Sequence, residues 1–286
     1  MKAVMDKKVP MVDTSIDIPA DVVETKDIEY GRVGDRPLLL DLYMPVSPPN
    51  PVPVLIFIHG GGWYKGDRSD YKYYTVRYAK QGYAAATISY RLSDETKFPA
   101  ALEDVKCAVR WVRANASTYG FESNFIAVIG GSAGGHLAMM TGYTAGDPAL
   151  EGTGGHAEWG SEVAAVVNFY GPSDLTTDTA RSASEVTRFL GQTYEENPEV
   201  FAQASPITHV DGDSPPTLIF HGSIDQLVPV EQSEILASRL KAAGVPCDLH
   251  VLEGWPHTMD AAQAVNDYCR YFLDAFLAKY VPRPMQ

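Results

Sequence analysis

Cysteine is scarce in this chain, with 3 among 286 residues: Cys107, Cys247 and Cys269. They lie far apart without paired spacing, which excludes a disulfide framework and a thiolate metal site and leaves them as core thiols. Clusters of positive charge are lacking as well. With 23 Lys and Arg against 36 Asp and Glu, the formal net charge is −13. Nucleic acid is therefore not an expected partner, because phosphate binding draws its affinity from clustered cations. A small, neutral substrate suits the chain better. No apolar run is long enough to span a bilayer, so no membrane span is expected. The N-terminus carries Lys2, Lys7 and Lys8 but no apolar stretch of a signal sequence before Asp13. The chain as given reads as cytoplasmic, or as secreted after loss of a leader. H-E-x-x-H and grouped Cys/His ligands are also missing, so neither a metal nor an organic cofactor is expected. Nothing in the sequence assigns an oligomeric state.

What is present is the composition of a folded protein, 45% hydrophobic and 21% charged, enough for a sizeable core. Residues 1–26 are mixed and contain Pro10 and Pro19, which suggests an arm; residues 27–286 read as one domain. A hairpin is expected over 27–33 and 37–44 across the Gly34-Asp35 turn, followed by a rigid loop at Pro45, Pro48, Pro49, Pro51 and Pro53. Apolar runs at 54–58, 83–89, 125–129, 163–170, 217–220 and 247–252 read as strands buried on both faces. Segments 70–80, 100–115, 133–145, 230–243 and 258–279 carry helical spacing. The alternation predicts an α/β architecture with a mostly parallel sheet of eight strands and helices on both faces. Residues 171–212 break it with short helical pieces near 182–190 and 198–203, and are expected to form a lid-like insertion at the sheet's C-terminal edge.

The chemistry concentrates at strand ends. Phe125–Ala138 runs from a buried strand through Gly130-Gly-Ser-Ala-Gly134 into a helix. A serine on so sharp a turn needs glycine on both sides, and the helix that follows aims its N-terminal amides at the same spot. Taken alone, such glycines could also make a plain turn or hold a phosphate. His59-Gly-Gly-Gly-Trp63 ends the first long apolar strand, where backbone amides can approach a carbonyl oxygen without a Cβ in the way. Gly61, Gly62 and Ala133 are the expected oxyanion donors, with His59 bracing the loop.

A serine hydroxyl needs a base and an acid to become a nucleophile. Asp225 follows the strand at 217–220 and His257 follows the one at 247–252, so both reach the sheet edge that carries Ser132. The other histidines lie in strands, loops or the elbow helix and read as structural. Asp174 comes before the expected acid strand, and Asp260 is expected on the helix after His257. Trp63, Tyr64, Tyr170, Leu175, Leu227 and Val228 flank these loops and are candidates to line a substrate pocket, although any of them could be core.

With these motifs, and with Tyr90-Arg-Leu92, Pro99–Val105 and His221-Gly-Ser-Ile-Asp225, the chain resembles α/β-hydrolase esterases of the hormone-sensitive-lipase-like group. It resembles most closely the feruloyl/acetylxylan esterase branch, from about residue 27 onward. The hormone-sensitive-lipase pattern usually has Asp where this chain has Gly131, and a longer N-terminal cap. The resemblance implies a cofactor-free serine esterase of short acyl or aromatic esters, feruloyl or acetylxylan esters among them. Arylformamidases share these motifs, so formamide cleavage is the alternative. A non-catalytic binding protein on the same fold is a further one, disfavoured because all three triad residue types are kept.

Overall fold

The computed structural model describes residues 9–48 and 50–284. Residues 1–8 of the expected arm, Lys2, Lys7 and Lys8 among them, and Pro49 of the expected loop lie outside them. Eight strands form one sheet: β1 (Val22–Val33), β2 (Arg36–Pro45), β3 (Val52–Ile58), β4 (Ala84–Ile88), β5 (Phe121–Gly131), β6 (Ala165–Phe169), β7 (Thr217–Gly222) and β8 (Cys247–Leu252). Their order is β1-β2-β4-β3-β5-β6-β7-β8. The hairpin β1–β2 joins β4 antiparallel, and every later pairing is parallel.

The central strands are buried on both faces, as parallel strands under helices must be. Along β3, Val54, Ile56 and Ile58 point into one core while Leu55 and Phe57 point into the other. Helices α1 (Lys72–Lys80) and α5 (Gln263–Tyr280) cover the Leu55 face; α2 (Ala100–Ala114), α3 (Ala133–Tyr143) and α4 (Glu231–Ala242) cover the opposite one. The sheet's C-terminal edge is thereby left for loops, the place where open α/β sheets bind ligands.

The main departures from expectation are the start of β1, the N-terminal segment and the start of α5. Strand β1 begins at Val22, because a register shift between Thr25 and Ile28, with Asp27 at φ 55°, hides the two-residue alternation. The segment before it is not a free arm in its described part. The Val12 amide donates to Ala261 O at 2.9 Å, and the Gln263 amide donates to Pro10 O at 2.8 Å. Helix α5 starts at Gln263, not at 258, since Met259–Ala261 forms a short 3₁₀ turn and Ala262 is extended. Asp260 is consequently on a turn. In the insertion, helices span Ser184–Leu190 and Pro198–Gln203.

Candidate active site

The turn from β5 into α3 is forced by glycine. Ser132 sits at φ 56°, ψ −122°, a conformation that L side chains rarely adopt. Its amide is held by Phe169 O at 2.8 Å. A Cβ on Gly130 would lie 2.3 Å from the Gly134 backbone, and one on Gly134 would lie 2.0 Å from Ile58 O. Helix α3 therefore begins in direct backbone contact with the end of β3. Gly131 is equally constrained: a Cβ there would meet the Tyr71 hydroxyl at 2.8 Å and the Tyr170 hydroxyl at 3.1 Å. No aspartate fits this position without moving both tyrosines.

Across the elbow, β3 ends in the glycine loop. Gly61, Gly62 and Trp63 all have positive φ, at 102°, 60° and 61°. The loop is braced by its own chain, with the Tyr64 and Lys65 amides donating to Gly61 O at 3.3 and 3.1 Å. His59 is buried, stacks on Tyr90 at 4.3 Å and contacts Gly60 O at 2.9 Å. Burial lowers its basicity. The amides of Gly61, Gly62 and Ala133 meet no intramolecular acceptor among the described residues.

Three side chains from separate loops form one line. His257 Nδ1 lies 2.6 Å from Asp225 Oδ2, and its Nε2 lies 3.0 Å from Ser132 Oγ. The network implies that Nδ1 carries the proton and Nε2 accepts from the serine hydroxyl. Asp225 Oδ1 accepts from the Leu227 and Val228 amides at 2.9 and 3.0 Å. Burial alone would raise the pKa of Asp225. Hydrogen bonds from His221 and His257 and the Val228 amide outweigh it, holding the carboxyl well below the usual range. Asp174 is turned away and caps its own loop, accepting from the Thr176 amide at 2.9 Å.

Two further histidines support this line. His221 Nε2 lies 3.2 Å from Asp225 Oδ2 and 2.8 Å from Val228 O, while its Nδ1 meets Ser233 Oγ at 2.6 Å. His136, inside α3, accepts from Trp63 Nε1 at 3.3 Å and donates from Nε2 to Ala204 O at 2.7 Å. It thus ties the glycine loop to the insertion. Being fully buried, it is held neutral, with its pKa lowered to about 4.

Ser132 and His257 open into a cavity of about 680 Å³. Of the sequence candidates, Gly61, Gly62, Ala133, Trp63, Tyr64, Tyr170, Leu227 and Val228 line it. Leu175 does not. It is fully buried in the α2/α3 core and its amide bonds Ser205 Oγ at 2.8 Å, because the chain after β6 turns this side chain inward. The insertion supplies Thr179, Ala180, Ala183, Glu185 and Val186 as one wall. Unanticipated are Val12 and Thr14 from the N-terminal segment, and Tyr71, Tyr74, Asp260 and Asn266 on the α1/α5 side. No group of three or more potential metal ligands occurs among the described residues, and none of their helices is long and apolar enough to cross a membrane.

Comparison with known proteins agrees with this architecture. The BD-FAE family model matches residues 40–240. Esterase LipC of Mycobacterium tuberculosis is 42% identical over 219 residues, which cover 73% of this chain and 54% of LipC. The chain spans only about half the length of the curated relatives it matches first. Esterase 2 of Thermogutta terrifontis, solved phosphonylated by cyclosarin, superposes with a TM-score of 0.79 at 27% identity, covering 94% of this chain and 98% of that one. A truncated carbohydrate esterase from gut microbiota superposes with a TM-score of 0.74 at 28% identity, covering 93% and 98%. With its eight-stranded, mostly parallel sheet, the chain has the α/β-hydrolase fold and belongs to the BD-FAE family.

Proposed function

We propose that this protein is a serine carboxylesterase in which Ser132 is the nucleophile, His257 the general base and acid, and Asp225 the group that holds the imidazole. The observation that carries this reading is the unbroken Asp225–His257–Ser132 chain at 2.6 and 3.0 Å, opening onto a cavity beside three unengaged backbone amides. Ser132 Oγ attacks the ester carbonyl carbon while its proton passes to His257 Nε2. The amides of Gly61, Gly62 and Ala133 hold the carbonyl oxygen as it becomes an anion, and a donor of this kind contributes about 2.7–4 kcal/mol. Collapse of the intermediate breaks the bond to the alcohol, which leaves with the proton from His257. Water repeats the sequence on the acyl-enzyme: its proton passes to His257, the acid departs, and Ser132 regains its proton.

The α/β-hydrolase relatives named esterase, and the one named carbohydrate esterase, support ester over amide cleavage. Trp63, Tyr64, Tyr170, Leu227 and Val228 at the cavity suit short acyl or aromatic esters, feruloyl and acetylxylan esters included. A panel of p-nitrophenyl acetate, butyrate and octanoate, methyl ferulate, acetylated xylan and N-formylkynurenine tests this. Ester turnover that Ser132→Ala abolishes without loss of the fold is the expected result. Preference for the formamide, or activity retained by Ser132→Ala, would overturn it.

A further inference from the structure

The cavity is bounded by two dissimilar walls. On the insertion side, Ala180, Ala183 and Val186 are apolar and continue into the α2/α3 core, with Thr179 and Glu185 beside them. On the α1/α5 side the lining is polar and interconnected. Tyr170 donates to Asp260 Oδ1 at 2.6 Å, and Tyr74 approaches Asp260 Oδ2 at 3.4 Å. Asn266 Nδ2 donates to the Tyr74 oxygen at 2.5 Å and to Asp260 O at 3.0 Å, while the other amide atom of Asn266, Oδ1, is buried and has no partner. Asn266 itself is 1% exposed. Asp260 itself lines the cavity, and Tyr170 and Tyr74 leave its carboxylate lone pairs to spare, so the wall fits a ligand that brings a donor.

This wall is closed by the N-terminal segment. Val9 packs on the α1/α5 core, Met11 pairs with Ala262, Val12 and Thr14 face the cavity, and Ile16 and Ile18 pack against the small core of Val22, Tyr43, Val76 and Ala79. Residues 9–18 are thus a strap fixed at both ends by apolar contacts, and in its middle it crosses the mouth of the polar wall. Its backbone pairs with residues 261–263, directly after the loop that carries His257.

We propose that this polar wall is the subsite for the alcohol portion of the ester, and that it selects a compact alcohol bearing a second hydroxyl. In it Asp260 accepts the hydroxyl, and Val12 with Thr14 limits the alcohol's size. The inference rests on the serine-esterase reading. His257 must hand its proton to the departing alkoxide, so the alcohol lies on the His257 side of Ser132. Tyr170, whose ring lies 4.6 Å from the His257 ring, carries the polar wall to that side. A hydroxyl there replaces water on Asp260 with a charge-assisted bond, which corresponds to about tenfold or more in selectivity. The strap makes the subsite shallow.

Acetate esters test this cleanly, because they share one acyl-enzyme and differ only in the alcohol. With ethyl acetate, 2-hydroxyethyl acetate and cyclohexyl acetate, the expected wild-type kcat/KM for the hydroxyethyl ester exceeds that for the ethyl ester by about tenfold. In Asp260→Asn, which keeps an acceptor for Tyr170, that ratio falls to near one. In Val12→Ala the cyclohexyl-to-ethyl ratio rises severalfold. A wild-type ratio near one, or an equal fall for both esters in Asp260→Asn, would overturn the subsite, as would an unchanged cyclohexyl ratio in Val12→Ala. If the wild-type protein cleaves none of the acetates, the serine-esterase reading itself fails, a result distinct from cleavage without selectivity.

Discussion

The contact between the start of α3 and the end of β3 makes Gly134→Ala the most instructive single substitution. A methyl at Gly134 would sit 2.0 Å from Ile58 O and 2.7 Å from His59 O, whereas ordinary contact begins at 3.4 Å. Both obstacles are backbone, so no side-chain rotation relieves them. The elbow has to withdraw from the glycine loop by the difference, about 1.4 Å, unless β3 is deformed. That motion separates Ser132 and Ala133 from Gly61 and Gly62, and a misplacement of about 1 Å can lower a rate about 100-fold. Overpacking of this kind destabilises by about 1–3 kcal/mol, so the variant is expected to remain folded at 25 °C. The assay is kcat/KM for p-nitrophenyl acetate, with the urea midpoint measured alongside. Gly146→Ala is the control: it also has positive φ, at 77°, but a Cβ there meets nothing within 4 Å, so it should lose some stability and no rate. A folded Gly134→Ala with activity within threefold of wild type would refute the argument that this approach positions the site.

Other expectations concern the groups behind the serine. Asp225→Asn leaves the imidazole without its anion, and kcat should fall by about 10⁴. His221→Gln, which removes only one of the groups around that carboxylate, should lower kcat by about tenfold; an effect as large as that of Asp225→Asn would mean that His221 does more than steady it. His136 predicts an acid-labile component of stability. Its folded pKa is depressed to about 4 from an ordinary 6.5, so its protonation favours the unfolded chain, and stability falls as pH drops from 6.5 towards 4. The loss amounts to about 3 kcal/mol over that window. His136→Gln should therefore show a smaller drop in urea midpoint between pH 7 and pH 4.5 than wild type, and an identical drop would contradict the assignment.

The elements legible in the sequence are those set by local rules. The contiguous apolar runs of β3 to β7, and the glycines around Ser132 and at 60–62, carry their own geometry, so strand ends and elbow could be read directly; β8, read as buried on both faces, is instead a half-exposed edge strand, with Asp248 and Val251 exposed. What escaped depends on irregular backbone or on how the chain folds back on itself. The bulge after Thr25 disguised the first half of β1. Met259, Ala262, Val265 and Cys269 have helical spacing, yet the 3₁₀ turn and the extended Ala262 delay α5 and place Asp260 at the cavity. Leu175, like Tyr170, follows β6, and nothing in its neighbours fixes whether its side chain turns to the cavity or to the core. Val12 and Thr14 reach the site through pairing with residues some 250 positions later; His221 is only four residues from Asp225, but the loop after β7 has to fold the carboxylate back onto it, which spacing alone does not reveal.

The central claim is that Ser132 is the nucleophile, and covalent capture tests it most directly. The intact protein is treated with a fluorophosphonate, and the modified residue is located by peptide mass spectrometry. One adduct is expected, on Ser132, with labelling lost in Ser132→Ala and strongly slowed in His257→Ala. An adduct on any other residue, or unimpaired labelling of Ser132→Ala, would contradict the account.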